Sequence, residues 1–382
     1  MSAVSSVPLG ELMATKTGSV DPAKFADEVF DLYSIPAFDK GQPEVVAGSS
    51  IGSAKQVIKP GDVLLSKIVP HIRRSWVVGY DRGRRLIASG EWIVFRSDRI
   101  DTAYLRHVLM GNPFHAQFMQ TVSGVGGSLL RARPTQVAKI CVPLPPLHEQ
   151  IRIAAILDQA DVLRIKRRES LAQLDSLTQS IFIEMFGDPV TNPMGWAGFT
   201  VGDVTDCIVP GRDKPKSFSG DIPWITTDDL VHLGLTHDSP KGLGLSSTEI
   251  GEVRARVIPS GSVVLSCVGN LGIVTIAAAK MVINQQLHAF QCREKVNNVY
   301  LMYCLAAQKA FMYAKASSTT LPYMNKSVCN SIPVWLPPIE LQRTFAERVS
   351  ATEQLKNIHH VSLVELGNLF ASLQHRAFRG EL

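Results

Sequence analysis

The sequence lacks the motifs that mark several large protein classes. Its six cysteines form no CxxC pair and show no Cys/His spacing typical of a zinc site, which predicts a reduced, cytoplasmic protein without a metal centre. No stretch approaches the roughly 18 apolar residues of a membrane-spanning helix, and the first residues have no basic start leading into an apolar core. Membrane insertion and secretion are therefore not expected.

Signatures of nucleotide chemistry and catalysis are also missing. No GxxxxGK[ST] phosphate loop occurs, and the glycine cluster at 123–128 has the wrong spacing for a dinucleotide site. Asp228 and Asp229 are followed by no Glu-x-Lys element of a nuclease, and the neighbouring His359 and His360 would point about 100° apart on a helix. The sequence predicts no catalytic residue and no metal ligand in this chain.

What is present is a globular composition arranged in two similar halves. The 382 residues, 45% hydrophobic and 19% charged, are enough for two to three folded domains. The segment VPLPPLHEQ at Val142 aligns with VWLPPIELQ at Val334, and VIKPGDVLLS at Val57 aligns with VIPSGSVVLS at Val257. The chain is therefore interpreted as two copies of one unit, each with a globular part followed by a helical part.

Each helical part has the pattern of a long amphipathic helix. Between Pro146 and Gly187 there is neither glycine nor proline, and about 38 helical residues would span roughly 55 to 60 Å. Apolar residues recur every three or four positions and predict a shared packing seam, formed by Leu171, Leu174, Leu177, Ile181 and Met185 in the first copy and by Leu363, Leu366, Leu369 and Leu373 in the second. The alternative is that each helix packs only on its own globular part.

The globular parts mix short β-branched runs with turn signals and shorter helical patterns. This mixture predicts an α+β fold without regular strand–helix alternation. The expected organisation is a pseudo-twofold repeat of globular domains at 1–142 and 189–334 and of spacer helices at 143–188 and 335–382.

Basic residues are concentrated in the first globular part. Residues 51–110 contain eleven Lys or Arg against five acidic residues. Such side chains contact phosphates or guanine edges, which makes DNA-contact candidates of Lys67, Arg73, Arg74, Arg82, Arg84 and Arg85. The alternative is a solvated basic face.

The second globular part gives a weaker signal, with twelve basic and ten acidic residues between 199 and 334. Its candidates are Lys214 and Lys216, in a loop rich in glycine and proline. The corresponding loops 123–134 and 317–327 add Arg131, Arg133, Asn325 and Lys326. These loops could equally be plain connectors.

Several motifs together resemble the DNA-specificity subunit of type I restriction-modification systems. They are LPPLHEQIRIAAILDQAD, MFGDPVTNPMGW at the end of the first helix, GDIPWITTDDL at Gly220, and LPPIELQ with the terminal HRAFRGEL. The resemblance adds Thr226 and Thr227 to the DNA-contact candidates. In the first copy, SIPAFDKG at Ser34 is assigned to the position of the IPW element, without its tryptophan.

The resemblance implies two target-recognition domains that each read half of a bipartite, asymmetric sequence in double-stranded DNA. Two antiparallel, coiled-coil-like helices would separate them and bind methyltransferase subunits, two of them expected. S-adenosylmethionine, ATP and Mg would belong to the methyltransferase and restriction (translocase) subunits, so this chain would supply no catalysis. The alternatives are a helical interaction scaffold that does not bind DNA, and a stand-alone methyltransferase or nuclease.

Overall fold

Short strands and helices precede each of two long helices in this computed structural model, which describes residues 5–124, 130–317 and 321–382. The chain forms two compact units: unit 1 comprises residues 1–168 and 361–382, and unit 2 comprises residues 169–360. The predicted boundaries treat each long helix as a domain of its own, whereas each compact unit contains part of both long helices.

Unit 1 contains twelve strands among its described residues. These strands are β1 Ser6–Pro8, β2 Ser19–Val20, β3 Val29–Tyr33, β4 Glu44–Ala47, β5 Lys55–Val57, β6 Val63–Ser66, β7 Ser75–Val77, β8 Arg85–Ala88, β9 Trp92–Phe95, β10 Val122–Ser123, β11 Arg131–Ala132 and β12 Cys141–Pro143. Its helices are α1 Ile35–Asp39, α2 Thr102–Met110, α3 Asn112–Gln120 and α4 Pro134–Val137, followed by the start of the long helix α5 Leu147–Phe186.

Unit 2 repeats this order after α5. Its strands are β13 Ala197–Thr200, β14 Thr205–Ile208, β15 Ile222–Ile225, β16 Leu235–Thr236, β17 Gly244–Leu245, β18 Val257–Ile258, β19 Val263–Ser266, β20 Val274–Ala277, β21 Met281–Ile283, β22 Leu287–Cys292 and β23 Pro333–Leu336. Its helices are α6 Val201–Val204, α7 Ser247–Glu252, α8 Asn298–Ala307, α9 Lys309–Lys315 and α10 Lys326–Asn330, before the second long helix α11 Ile339–Ala377.

Seven strands of each unit confirm the internal repeat. Strands β7-β6-β9 of unit 1 correspond to β20-β19-β22 of unit 2, and β5-β8-β3-β4 correspond to β18-β21-β15-β17. In both units one central pair is parallel, β3 with β8 and β15 with β21, while the other pairs within these corresponding sets are antiparallel. The predicted α+β class and the pseudo-repeat are therefore correct.

The strand register corrects one predicted correspondence. Trp224 and Ile225 of β15 pair with β21, and Asn284 after β21 donates its backbone N–H to the carbonyl of Ile225. In unit 1, Ser89 after β8 donates in the same way to Tyr33. The IPW element therefore corresponds to the strand that ends at Tyr33, and not to the SIPAFDKG segment at Ser34, which begins α1 one step later.

The two long helices run antiparallel within each unit. In unit 1, the guanidinium of Arg164 on α5 lies 4.6 Å from the ring centre of Phe370 on α11, and Arg152 binds the backbone carbonyl of Leu382. In unit 2, Phe182 on α5 packs edge-on against Phe345 on α11 at 5.3 Å. The predicted helical pair is confirmed, since both helices contribute to the core of each unit.

The predicted seam is buried only in part. Leu171 is buried, and Leu174, Ile181, Met185, Leu363, Leu366 and Leu373 are half-buried. Leu177 and Leu369, at matching positions of the repeat, are 46% and 50% exposed. The amphipathic stripe therefore extends beyond the packed surface at the same place in both copies.

A buried glutamine explains the proline–proline–glutamine signature that precedes both long helices. Gln150 accepts a hydrogen bond from the N–H of Asp101 at 2.8 Å and donates to the carbonyls of Arg99 and Pro145. Gln342 repeats these three bonds with Asn297, Lys295 and Pro337. The amide ties the start of each long helix to the segment that begins α2 or α8, so the motif fixes the angle at which the helix leaves its sheet.

None of the helices in the described ranges has the length and apolar character needed to cross a bilayer.

Candidate nucleic-acid interface

In unit 2, the polar loops meet where β15, β19 and β21 end. The loop after β21 reaches the loop before β15, because Gln285 donates its amide to the backbone carbonyls of Gly211 and Asp213 at 3.1 and 3.2 Å. Gly269, after β19, donates its N–H to the carbonyl of Pro322. We call this surface the unit 2 edge; it comprises residues 211–216, 226–229, 267–272, 284–286 and 321–326.

Amide side chains occupy the middle of the unit 2 edge. Gln286 accepts hydrogen bonds from Thr227 at 3.4 Å and from the amide of Asn284 at 3.1 Å, and the side chain of Gln285 is exposed. Amides of this kind bind the N6 and N7 edge of adenine in a major groove. None of these amides was predicted from the sequence, although the polar triplet Asn-Gln-Gln between two apolar runs marks them.

The loops of the unit 2 edge also carry lysines. Lys214, Lys216 and Lys326 are exposed and form no ion pair with any described residue. The loop that carries the first two is anchored just after Lys216, where Ser219 donates its backbone N–H to Glu249 at 3.2 Å. Hydrogen bonds from the Ser217 hydroxyl and from the N–H groups of Ser246 and Ser219 lower the pKa of Glu249 to about 2. The carboxylate therefore stays ionised and holds this basic loop over a wide pH range.

Two residues of unit 2 that were predicted to contact DNA form hydrogen bonds that cap local helical turns. The hydroxyl of Thr226 donates to Asp229 at 2.8 Å, in a capping box at the end of β15. The side chain of Asn325 accepts from the N–H of Val328 at 2.9 Å and caps α10. Both residues shape the edge, while Thr227 and Lys326 beside them remain on its surface.

In unit 1, the equivalent surface consists of residues 67–74, 89–91 and 130–133, which we call the unit 1 edge. Lys67 is half-buried there and forms no ion pair among the residues that the structure describes. Arg131 forms an ion pair with Glu91 at 3.1 Å. Unit 1 therefore places a carboxylate where unit 2 has its amide triplet.

The two arginines after Lys67 have structural partners. Arg74 is only 8% exposed and binds Asp39 through two hydrogen bonds of 2.9 and 3.0 Å, which lower the pKa of that carboxyl. Arg73 donates to the carbonyl of Met110 at 2.9 Å and lines a cavity of about 400 Å³ beside the long helices. Arg74 is thus held in a largely buried ion pair, and Arg73 lies beside the helices.

The remaining basic cluster of unit 1 lies at the opposite end of the sheet. Arg84 and Arg85 stand at the start of β8, whose end joins the unit 1 edge, and a four-residue strand is about 13 Å long. They form ion pairs with Asp31 at 2.7 Å and Glu28 at 2.9 Å. Arg82 is exposed and has no ion pair with a described residue. The basic residues that are concentrated in the sequence of unit 1 thus lie on two separate surfaces, the unit 1 edge and the surface at the start of β8.

The loops before the two elbows are described only in part. Arg133 is exposed and donates to the hydroxyl of Ser123 at 2.9 Å. Residues 125–129 of the first predicted loop and 318–320 of the second lie outside the described residues.

One group in the described part of the chain could hold a metal ion. A ring nitrogen of His288 and the sulfurs of Cys267 and Cys329 lie within 4.8 Å of one another, and all three residues are buried. The sequence predicts no such cluster, because the three residues are 21 and 41 positions apart along the chain.

Comparison with known proteins places these features in a family. Residues 193–366 match the family model described as the type I restriction modification DNA specificity domain. Residues 193–366 of this chain thus belong to that domain family. The prediction from the motifs is confirmed, and recognition of a DNA sequence is the role of this family.

Two curated relatives and one solved structure show how far the likeness extends. The MjaIX specificity subunit of Methanocaldococcus jannaschii is 25% identical over 41% of this chain and 36% of its own length. The EcoDI specificity subunit of Escherichia coli is 26% identical over 39% of this chain and 33% of its own length. The matched segment thus spans about a third of each relative.

A solved chain from work on complex assembly and conformational transition of the type I R-M system is similar along the whole molecule. It has a TM-score of 0.65 at 23% identity, and the match covers 100% of this chain and 99% of the solved chain. This likeness establishes the fold.

Proposed function

We propose that this chain is the DNA-reading subunit of a type I restriction-modification complex. The unit 1 edge and the unit 2 edge each read one half of a bipartite, asymmetric target in double-stranded DNA. The observation that carries the proposal is the unit 2 edge, where exposed lysines without ion pairs among described residues share a surface with the amides of residues 284–286. Lysines position a protein on phosphates and amides distinguish bases, so the edge has both functions that sequence reading requires.

The long helices bind the partner subunits in this proposal. In unit 1, α5 exposes Val162, Leu163 and Ile165, which are 46%, 53% and 45% exposed. In unit 2, α11 exposes Leu355 and Ile358, which are 42% and 64% exposed. Apolar side chains grouped on a helix surface are typical of a protein interface. We propose methyltransferase subunits, two of them, as the occupants, and a restriction subunit as a further member of the complex.

The chemistry is assigned to those partners. S-adenosylmethionine is expected on the methyltransferase subunits and ATP with Mg on the restriction subunit, while this chain acts without catalysis of its own. The complex would work in the cytoplasm, where its DNA is accessible.

The test measures DNA binding by the complex reconstituted with its methyltransferase subunits, at several salt concentrations. Each phosphate contact contributes about 0.9 to the slope of log affinity against log salt. Lys214→Ala should reduce that slope by about one and weaken binding equally on all sequences, as should Lys216→Ala. Gln286→Ala should instead cost about 1–3 kcal/mol at one base position and relax specificity there.

The matched control is Lys280→Ala. Lys280 is exposed and lies at the start of β21, at the opposite end of the strand that leads into the amide triplet. An effect of Lys280→Ala as large as that of Lys214→Ala would contradict the assignment of the edge. Absence of DNA binding by the complete complex would favour the alternative function, an interaction scaffold, which the exposed apolar helix surfaces support.

A further inference from the structure

The buried cluster of Cys267, His288 and Cys329 lies beneath the unit 2 edge. Cys267 directly follows β19, His288 is on the neighbouring strand β22, and Cys329 is on α10. The sulfurs of Cys267 and Cys329 are 3.5 Å apart. Three different segments of the fold thus bring two thiols and an imidazole to one point.

The spacing of these atoms matches the coordination shell of a metal ion. Two thiolates bound to tetrahedral zinc at about 2.3 Å from the ion are roughly 3.8 Å apart. The sulfur–sulfur distance of 3.5 Å is close to this value, and the three donor atoms lie within 4.8 Å of one another. Small shifts of side chains would complete the shell.

One nitrogen of the imidazole lacks the hydrogen bond that a buried polar atom needs. His288 is 6% exposed, and its Nδ1 atom is buried without a hydrogen-bond partner among the described residues. Buried polar atoms in folded proteins are nearly always hydrogen-bonded, because an unpaired one costs about 1–3 kcal/mol. Coordination of Nδ1 to a metal ion would offset this cost.

The fold itself does not require these three side chains. Leu65 pairs with Ile93 in unit 1 as Leu265 pairs with His288 in unit 2, and Ala132 donates to the carbonyl of Lys67 as Met324 donates to that of Cys267. Unit 1 therefore carries Lys67, Ile93 and, by the repeat, Val137 where unit 2 carries the cluster. The same backbone positions are filled there without a single metal-binding group.

We propose that Cys267, His288 and Cys329 bind one zinc ion. Zinc accepts both sulfur and imidazole ligands, and a site with three protein ligands leaves the fourth position to water. The two thiols release their protons to solvent as the ion binds, so that Zn²⁺, two thiolates and a neutral imidazole have no net charge. This balance favours a divalent ion over Cu⁺, because a buried site with net charge pays a large desolvation cost.

Bound zinc would join the segments that carry the unit 2 edge. The loop 267–272 follows the first ligand, Gln286 precedes His288 by two residues, and Lys326 precedes Cys329 by three. The ion would hold these loops in a fixed relation to one another. The zinc site itself does not depend on the proposed reading of DNA, and its test uses no DNA.

The test is a metal analysis of the purified full-length chain, together with Co²⁺ titration. The wild-type chain should contain about one zinc per molecule, and Co²⁺ in its place should give sulfur-to-cobalt charge transfer and the visible bands of tetrahedral cobalt. Cys267→Ala and Cys329→Ala should each lose the metal and the absorption. Cys304→Ala is the matched control, since Cys304 is a buried thiol of the same core outside the cluster and its loss should leave both signals unchanged.

Wild-type protein that takes up neither zinc nor cobalt while all six thiols react with a thiol reagent after unfolding would overturn the proposal. So would copper in place of zinc, or two thiols missing from that titration, which would indicate a Cys267–Cys329 disulfide. Because these readouts use the wild-type chain, a variant that fails to fold does not obscure the result.

Discussion

The region where the long helices meet the rest of each unit is filled in two different ways. In unit 2 the ring of Phe182 stacks on Tyr303 at 5.7 Å and 19°, and Phe345 packs edge-on against Tyr303 at 5.1 Å. The repeat places Gln374, His107 and Ile153 at these positions in unit 1. There the amide of Gln374 donates to the carbonyl of His107, and the ring of His107 lies 2.7 Å from the carboxylate of Asp158.

The comparison distinguishes the hydrogen bonds that both units share from the side-chain packing that differs between them. Both units keep the buried glutamine at the start of the long helix. Both also keep a hydrogen bond from a tyrosine hydroxyl to a backbone carbonyl just before that helix, from Tyr104 to Pro143 and from Tyr300 to Trp335. Around these shared contacts, unit 2 packs aromatic rings beside a cavity of about 270 Å³ that Phe182 and Tyr303 line. Unit 1 has hydrogen-bonded charged groups beside a larger cavity, of about 400 Å³.

The largest expected effect comes from removing one ring of the aromatic cluster. Phe345 is fully buried, so Phe345→Ala should lower the free energy of unfolding of unit 2 by about 3–5 kcal/mol through lost burial and a cavity. Hydrogen exchange followed separately in the two units measures it. Ile153→Ala, the matched change in unit 1, should cost about 2–5 kcal/mol and act on unit 1. Equal loss of protection in both units from either variant would show that the two cores unfold as one.

The next effect tests the packed part of the helix pair. Leu171 is 9% exposed and Leu177, less than two turns further along the same helix, is 46% exposed. Leu171→Ala should therefore lower the free energy of unfolding by about 2–5 kcal/mol, whereas Leu177→Ala should change it by about 0.5 kcal/mol or less. Denaturant unfolding measures both. Similar losses for the two variants would mean that the predicted stripe packs along its whole length.

Much of the architecture could be predicted from the sequence, because it depends on local residue patterns. The absence of glycine and proline between Pro146 and Gly187 predicts a helix that the structure places at Leu147–Phe186, and alignment of the two halves gives the repeat of the sheets. Gly187, with a positive φ of 77°, ends that helix, and a Cβ atom there would meet Pro193 at 2.7 Å.

The candidate interface was harder to predict from the sequence, because contacts between residues far apart in the chain decide which charged side chains form ion pairs. Nothing near Arg74 in the sequence shows that Asp39 neutralises it, and nothing near Arg84 points to Asp31. Which end of a strand faces a given surface depends on sheet topology. Arg85 and Lys67 were therefore grouped, although Arg85 lies at the start of β8 and Lys67 contacts the loop that follows the end of β8. The cluster of Cys267, His288 and Cys329 could not be predicted either, because only the fold brings these three distant residues together.

The smallest expected effect concerns acid pH and distinguishes the polar junction from the aromatic one. Burial lowers the pKa of His107, and this effect outweighs the hydrogen bond to Asp158, which raises the pKa. The charge of Arg106 lowers the pKa further, and the charge of Asp161 raises it. The unfolded chain takes up the proton near pH 6.5, before the folded unit does. The stability that His107 contributes is thus complete above about pH 6.5 and is lost as pH falls through the folded pKa.

The matched variant is His107→Gln, which keeps a hydrogen-bonding group beside Asp158 but cannot titrate. Thermal unfolding of unit 1 between pH 7.5 and 5.5 should show a steeper loss of Tm in the wild type than in this variant. His115, whose pKa is also lowered by burial and by Arg73 and His71, is unchanged in both proteins and cancels in the difference. Tyr303, at the equivalent position of unit 2, has a pKa raised to about 12 by burial and does not titrate in this range. If the two pH profiles coincide, the charged junction of unit 1 is not what sets its response to acid.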